Sequence, residues 1–247
     1  MPSIPMFTLE AWSAWTPACQ SRPDWQTWVD HPKTELSEEK IEPDVRDIPM
    51  MLRRRLPPLA RMAFRAALDV DDNRENMHLV FASRHGDAGI TPAILDDIAK
   101  DQPVSPAKFS TSVHNAIAGL YSIHTKNTAP HTMISAGQES FAHGLLEAQA
   151  ILQEDRHRSV LLVYYDIPLP KFFDSFCNEG TASIAIALLM STVDDTSHQK
   201  MTLTSDVSVS QPPSVDPVLD FIRFILGRHP EWRSPIGQRN WICKQHV

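Results

Sequence analysis

The stretch Thr132-Met133-Ile134-Ser135-Ala136-Gly137-Gln138-Glu139-Ser140-Phe141 decides how the chain is read. Thr132 to Ser135 is a short β-rich run, Ala136-Gly137 is a tight passage of small residues, and a helix is predicted from about Gln138 to Gln153. Phe141, Leu145, Ala148 and Leu152 stand four, three and four residues apart, which gathers them on one helical face. A strand running straight into such a helix presents the first helical side chain at the positive end of the dipole, where a thiolate or oxyanion is stabilised. Enzymes place nucleophiles there. Here the position is Gln138, whose amide donates and accepts hydrogen bonds but cannot attack a thioester. An ordinary buried strand-to-helix junction has the same local pattern.

Working outward, Ser159 to Tyr165 is a fully apolar, β-rich run of the kind a buried strand shows. Met77 to Ala82 is a second strand, ending in the turn Arg84-His85-Gly86-Asp87. Ala182 to Met190 fits a third, a short strand lies near Phe7 to Trp12, and the alternation from Met201 to Val209 suits an edge strand. Leu59, Met62, Ala63, Ala66 and Leu68 recur at helical spacing after Pro57-Pro58. Thr91-Pro92 marks a helix to Ala99 with Thr91 as N-cap, and further helices are expected at Val113 to Ile123 and Pro217 to Leu226. The rest of residues 1–50, with its acidic run Glu35 to Glu39, reads as irregular surface chain, and Trp232 to Val247 gives no clear signal. Alternating helices and apolar strands imply an α/β layer structure with helices on both faces of a mixed sheet. No internal repeat or linker divides it, so one domain is expected.

At 247 residues and 42% hydrophobic, the chain can supply a real core. The opening MPSIPMFTLEAW lacks a basic segment followed by an apolar one, and the longest nearly apolar run, Ala182 to Met190, is far short of the ~20 residues of a spanning helix. The expectation is a soluble, cytoplasmic protein with no membrane span. Cys19, Cys177 and Cys243 are too widely spaced for CxxC pairs, so reduced bystander thiols are expected. A net charge of −7 argues against nucleic acid as a partner. The exception is the run Arg53-Arg54-Arg55, followed by Arg61 and Arg65, which reads either as a solvated helix entrance or as a dock for an acidic partner such as a carrier protein.

Two other constellations could carry chemistry. Ser83-Arg84-His85-Gly86 after a strand resembles the RHG signature of histidine phosphatases, with His85 as phosphoryl acceptor, but the other His-Gly pair, His143-Gly144, falls inside a helix. His114, His124, His131 and His143 are ten, seven and twelve residues apart, so no two share a helical turn and no metal is expected.

Ser105-Pro106, then Phe109-Ser110-Thr111-Ser112-Val113-His114-Asn115-Ala116 with Gly119, Ser122 and Ile123, resembles the stretch before the active site of β-ketoacyl synthases. Within that fold the chain is most similar to the short ketosynthase-like proteins of aryl polyene pigment clusters. The Trp-rich start Ala11 to Trp15, the Arg53 to Ala67 helix and Ala82 to Gly86 support the resemblance, which covers most of residues 5–190. Aligning the helix through Leu146-Glu147-Ala148 puts the family's catalytic cysteine at Gln138; a one-residue slip would put Gly137 there, which is equally unable to attack. Glutamine at that place is what chain-length factors of type II polyketide synthases show.

The resemblance implies a single thiolase-like lobe, with a five-stranded mixed sheet and helices on both faces. Residues 1–247 would form one truncated domain and 210–247 an extension with one helix. It implies a non-catalytic chain-length-factor subunit that heterodimerises with a β-ketoacyl-ACP synthase and meets the acyl carrier protein indirectly, without a cofactor. The second lobe's catalytic histidines and lysine have no counterpart around His198, His229 or His246. In this family the strand before the nucleophile pairs across a twofold, so Thr132, Met133, Ile134 and Ser135 would form the partner edge. Ile90, Ile94, Ile98, Phe109, Val113, His114 and Asn115, with Gln138, would line the acyl tunnel or interface, and Arg53 to Arg55 would dock the carrier. A rival reading is an enzyme in which Gln138 holds the thioester oxygen while a malonyl carrier loses carbon dioxide.

Overall fold

Residues 6–31, 41–72, 74, 77–154, 159–176, 182–192, 198–207, 216–236 and 239–246 are described by the computed structural model. Cys177 and the acidic run Glu35 to Glu39 lie outside them. In chain order the strands are β1 Met6–Trp15, β2 His78–Ala82, β3 His131–Ile134, β4 Ser159–Asp166, β5 Ile184–Ser191, β6 Gln199–Asp206, β7 Glu231–Ile236 and β8 Arg239–His246. The helices are α1 Arg22–Asp30, α2 Met50–Arg53, α3 Pro58–Leu68, α4 Ile90–Ala99, α5 Pro106–Thr111, α6 Ala116–Thr125, α7 Ser140–Glu154 and α8 Pro217–Ile225.

One mixed sheet runs β3-β2-β4-β5-β1-β6-β8-β7. β2 is parallel to both β3 and β4, whereas β5, β1, β6, β8 and β7 follow in antiparallel pairs. The side-chain period of two divides the sheet cleanly. Val80, Ala82, Leu162, Tyr164, Ile186 and Leu188 face α7 and α8, while Leu79, Phe81, Leu161, Val163, Ala187 and Leu189 face α3 and α6. Both faces are dry, which is why these strands read as unbroken apolar runs. Alanines at 60, 63, 66 and 67 are fully buried on α3 and let that helix lie close to β4 and β5.

The sheet has eight strands rather than the expected five. β7 and β8 form a hairpin in the tail that gave no signal, its pattern broken by Pro235 and by charged residues on the solvent side. The C-terminal segment therefore contributes more than one helix. β6 is not an edge strand, because β8 pairs its far side from Lys200 to Asp206. α1 stands where irregular chain was expected. It opens on a capping box, Ser21 with Asp24, and buries Trp25 and Trp28. α4 begins at Ile90 after Gly89, one residue before Thr91, so Thr91 is not its N-cap. The helix predicted from Gln138 is split into a 3₁₀ turn, Gly137–Glu139, followed by α7.

Gly144 fixes how closely α7 approaches the sheet. A Cβ there would stand 2.9 Å from Leu162 Cδ1 and 3.1 Å from Ala82 Cβ, both fully buried. Gly144→Val adds that carbon and two more, so overpacking is expected to cost about 3 kcal/mol in urea denaturation. An unchanged midpoint would mean that α7 does not rest on β2 and β4 at this point.

Candidate functional site

The parallel strands β2, β3 and β4 end together at Ala82, Ile134 and Asp166. The chain leaves β2 for β3 on one side and returns from β3 to β4 on the other, and a crevice at such a reversal is where open α/β sheets bind ligands. Gln138 comes four residues after the end of β3.

A buried carboxylate organises this end of the sheet. Asp166 is 1% exposed. Its Oδ1 accepts the Ser83 hydroxyl at 2.9 Å and the His85 amide at 3.4 Å, and its Oδ2 accepts the Arg84 amide at 2.9 Å. The Ser83 hydroxyl oxygen in turn accepts the Gly86 amide at 2.8 Å. The turn is tied to β3 as well, through Ser83 N to Ile134 O at 3.1 Å and the Ser135 hydroxyl to Arg84 O at 3.1 Å. In the sequence Ser83 stands out only as the residue before Arg84-His85-Gly86, and Asp166 only as a lone carboxylate closing the apolar run of β4.

This wiring gives the Arg84-His85-Gly86 turn a structural task. Burial lowers the His85 pKa below the ordinary histidine value, with the Arg84 charge adding to the effect. His143 does not form a pair with it: the ring stacks edge-on against Trp241 at 5.1 Å and lies 3.4 Å from Glu139. Among the described residues no group of three or more His, Cys, Asp or Glu side chains could hold a metal ion.

Gln138 is exposed on the 3₁₀ turn rather than on the first turn of α7. Gly137 before it has φ +58, and the turn is braced by Ser140, whose hydroxyl accepts the Ala136 amide at 2.9 Å and donates to Gly137 O at 2.7 Å. The turn thus presents the Gln138 amide to solvent.

The remaining sequence-predicted residues divide by exposure. Thr132, Met133 and Ile134 are half-buried on β3, and Ser135 is exposed. β3 has β2 on one side and no strand among the described residues on the other. On α4, Ile94 is buried and Ile90 half-buried, whereas Ile98 is 55% exposed with Leu95, missed from sequence, at 59%. Phe109 at 64% and Val113 at 50% continue an apolar shelf onto α5, which Lys108 ties to α4 through Asp97 at 3.0 Å. Asn115 is exposed at the start of α6. His114 is half-buried and lines a water-sized recess with Gly86, Asp87, Thr111 and Pro57. Arg53 is half-buried and Arg54 and Arg55 are exposed, beside the exposed Met50 and Met51. These three arginines form no ion pair with a described residue, whereas Arg46, Arg61, Arg65 and Arg74 all do.

The layered sheet and its site define a thiolase-like α/β protein. Residues 25–244 match the family described as β-ketoacyl synthase, N-terminal domain, and the chain belongs to that family. Among solved structures it is similar to a chain of the ketosynthase (ApeO) in complex with its chain length factor (ApeC) from Xenorhabdus doucetiae. That match has 25% identity and a TM-score of 0.84, over 97% of this chain and 99% of that one. The ishigamide ketosynthase/chain length factor shares the fold at 14% identity and TM-score 0.66, over 88% of this chain and 72% of that one. So does a β-ketoacyl synthase from Burkholderia phymatum, at 11% identity and TM-score 0.64, over 92% and 71%. No curated protein matches the sequence. No helix among the described residues is long and apolar enough to cross a membrane.

Asp166→Ala removes the acceptor of the buried Ser83 hydroxyl and of the half-buried Arg84 amide at once. The expected loss is about 3 kcal/mol in denaturant titration, with a smaller loss for Asp166→Asn, which keeps one acceptor oxygen. Equal stability of all three proteins would remove the carboxylate from its organising role.

Proposed function

We propose that this chain is a chain-length-factor subunit: a ketosynthase-family protein that pairs with a β-ketoacyl-ACP synthase and shapes its acyl tunnel without performing the condensation. The observation that carries this reading is Gln138. Its turn keeps the exposure of a nucleophile position, and its amide can neither form a thioester nor expel one.

The free side of β3 supports the pairing. Among the described residues β3 has no strand on its side away from β2, so beside half-buried Met133 and Ile134 it offers an edge along which another strand could pair. The shelf of Leu95, Ile98, Phe109 and Val113 is the apolar surface such a partner would cover, and across the interface it would become tunnel wall. By resemblance to the short ketosynthase-like proteins of aryl polyene pigment clusters, the cargo would be a growing polyene. The carrier protein would meet the assembly at Arg53 to Arg55, where unpaired guanidinium groups beside Met50 and Met51 suit an acidic helix carrying a few apolar side chains. The assembly as a whole would be an acyltransferase working on soluble carrier-bound chains in the cytoplasm.

Exposure of Gln138 also favours a second reading, a malonyl-carrier decarboxylase in which the amide holds the thioester oxygen. Carbon dioxide release from malonyl carrier by the purified chain separates the two: release at catalytic rates supports the enzyme, and none supports the subunit.

Co-expression with a β-ketoacyl-ACP synthase of the kind seen paired with a chain length factor, followed by size-exclusion chromatography with light scattering, is expected to give a one-to-one complex. A monomer that ignores the ketosynthase would end the subunit reading. In a reconstituted synthase, Phe109→Ala is expected to lengthen the product and Ile98→Trp to shorten it, read by mass spectrometry. Unchanged length in both would remove the shelf from the tunnel.

A further inference from the structure

The end of β3 is held by more than its ladder to β2. Ile134 O accepts the Ser83 amide at 3.1 Å and also faces His114 Nε2 at 3.4 Å. A carbonyl oxygen can only accept, so the imidazole carries a proton on Nε2 and donates it there. The far side of the same ring rests on Gly86, where a Cβ would stand 2.8 Å from Nδ1. Gly86 has φ +60 as well, so the turn needs glycine both for its backbone and for the ring lying against it.

His114 therefore joins three segments that lie far apart in sequence: the turn after β2, the junction between α5 and α6, and the last carbonyl of β3. The neighbouring Val113 is half exposed on the apolar shelf. One side chain thus links the shelf to the strand edge. β3 has four residues and a single strand neighbour among the described residues, so its ladder alone holds it weakly and its position depends on ties at its end.

We infer that His114 is a positioning residue for partner binding, setting β3 at the register and height that an incoming strand requires while holding the shelf beside it. This inference rests on the partner-subunit reading and gives His114 a different role from lining the tunnel. The donor is what matters: Phe at 114 keeps a ring against Gly86 but has no proton for Ile134 O, whereas Gln can place an amide N–H close to the position of Nε2.

The test is the affinity of each variant for the β-ketoacyl-ACP synthase that pairs with the parent chain, measured by interferometry alongside the melting temperature of the free variant. His114→Phe is expected to bind at least about 10-fold more weakly with its melting temperature within about 3 °C of the parent, and His114→Gln to recover most of the affinity. Wild-type affinity for His114→Phe would overturn the inference. If His114→Phe does not fold, His114→Leu, which is smaller and equally without a donor, is expected to show the same loss, and parental affinity there would overturn it equally. Failure of the parent chain itself to bind is a separate outcome, which removes the subunit reading and this inference with it.

Discussion

The carboxylate of Asp166 sets the conditions for everything at the functional end of the sheet. A charge at that depth is tolerated only when its lone pairs are taken up, and here Ser83, Arg84 and His85 supply the donors. Because these donors belong to the turn after β2, satisfying the charge folds the turn. Because Ser83 and Arg84 also bond to Ile134 and Ser135, folding the turn places the end of β3. The position of Gln138 thus follows from a buried group on another strand, and the chain of cause runs from β4 through β2 to β3.

That dependence means that the residue at position 138 can change while the site keeps its shape. In the described residues no bond of the Asp166 network involves residue 138, and the brace around the 3₁₀ turn is made by Ser140 with Ala136 and Gly137. Chemistry and scaffold are separable here. A substitution at Gln138 costs little in folding, whereas the ties at Ser83, His114 and Asp166 remain necessary as long as the strand edge has a use. A protein retained for its surface would keep the second set and be free to lose the first.

What the sequence made legible follows from the physics of each element. The strands at 78–82, 159–166 and 184–191 are buried on both faces, so their apolar runs stood out, and α3 and α7 showed their stripes because one side packs on the sheet. α1 was legible in principle from its Ser21-x-x-Asp24 box but was hidden by Pro and Trp residues that suggested loop. β7 and β8 were harder, because Arg233, Pro235 and Lys244 interrupt their alternation and a hairpin's partner cannot be read from either strand alone. At the site, Gln138 and the β3 edge could be found by alignment of one helix. The clamp could not, since Ser83 and Asp166 are 83 residues apart and only the fold brings them together. That Ile94 is buried and Leu95 exposed was hidden for a similar reason: sequence gives the spacing of a helical stripe but not which side faces out.

The C-terminal segment narrows where a partner can approach. Phe141 on α7 packs against Phe221 at 5.1 Å and Trp232 at 5.8 Å, and Trp232 is anchored by its indole N–H to Pro217 O at 2.9 Å. A turn further back, Trp241 donates to Glu139 at 3.3 Å and lies edge-on to His143. α7 is therefore covered by the sheet on one side and by α8 and the β7–β8 hairpin on another, and the aromatic contacts make that cover part of the core rather than a removable flap. α3 and α6 occupy the opposite face of the sheet. Among the described residues, the side of β3 away from β2 carries no strand, and it is to this end of the sheet that the ties from Asp166 and His114 run.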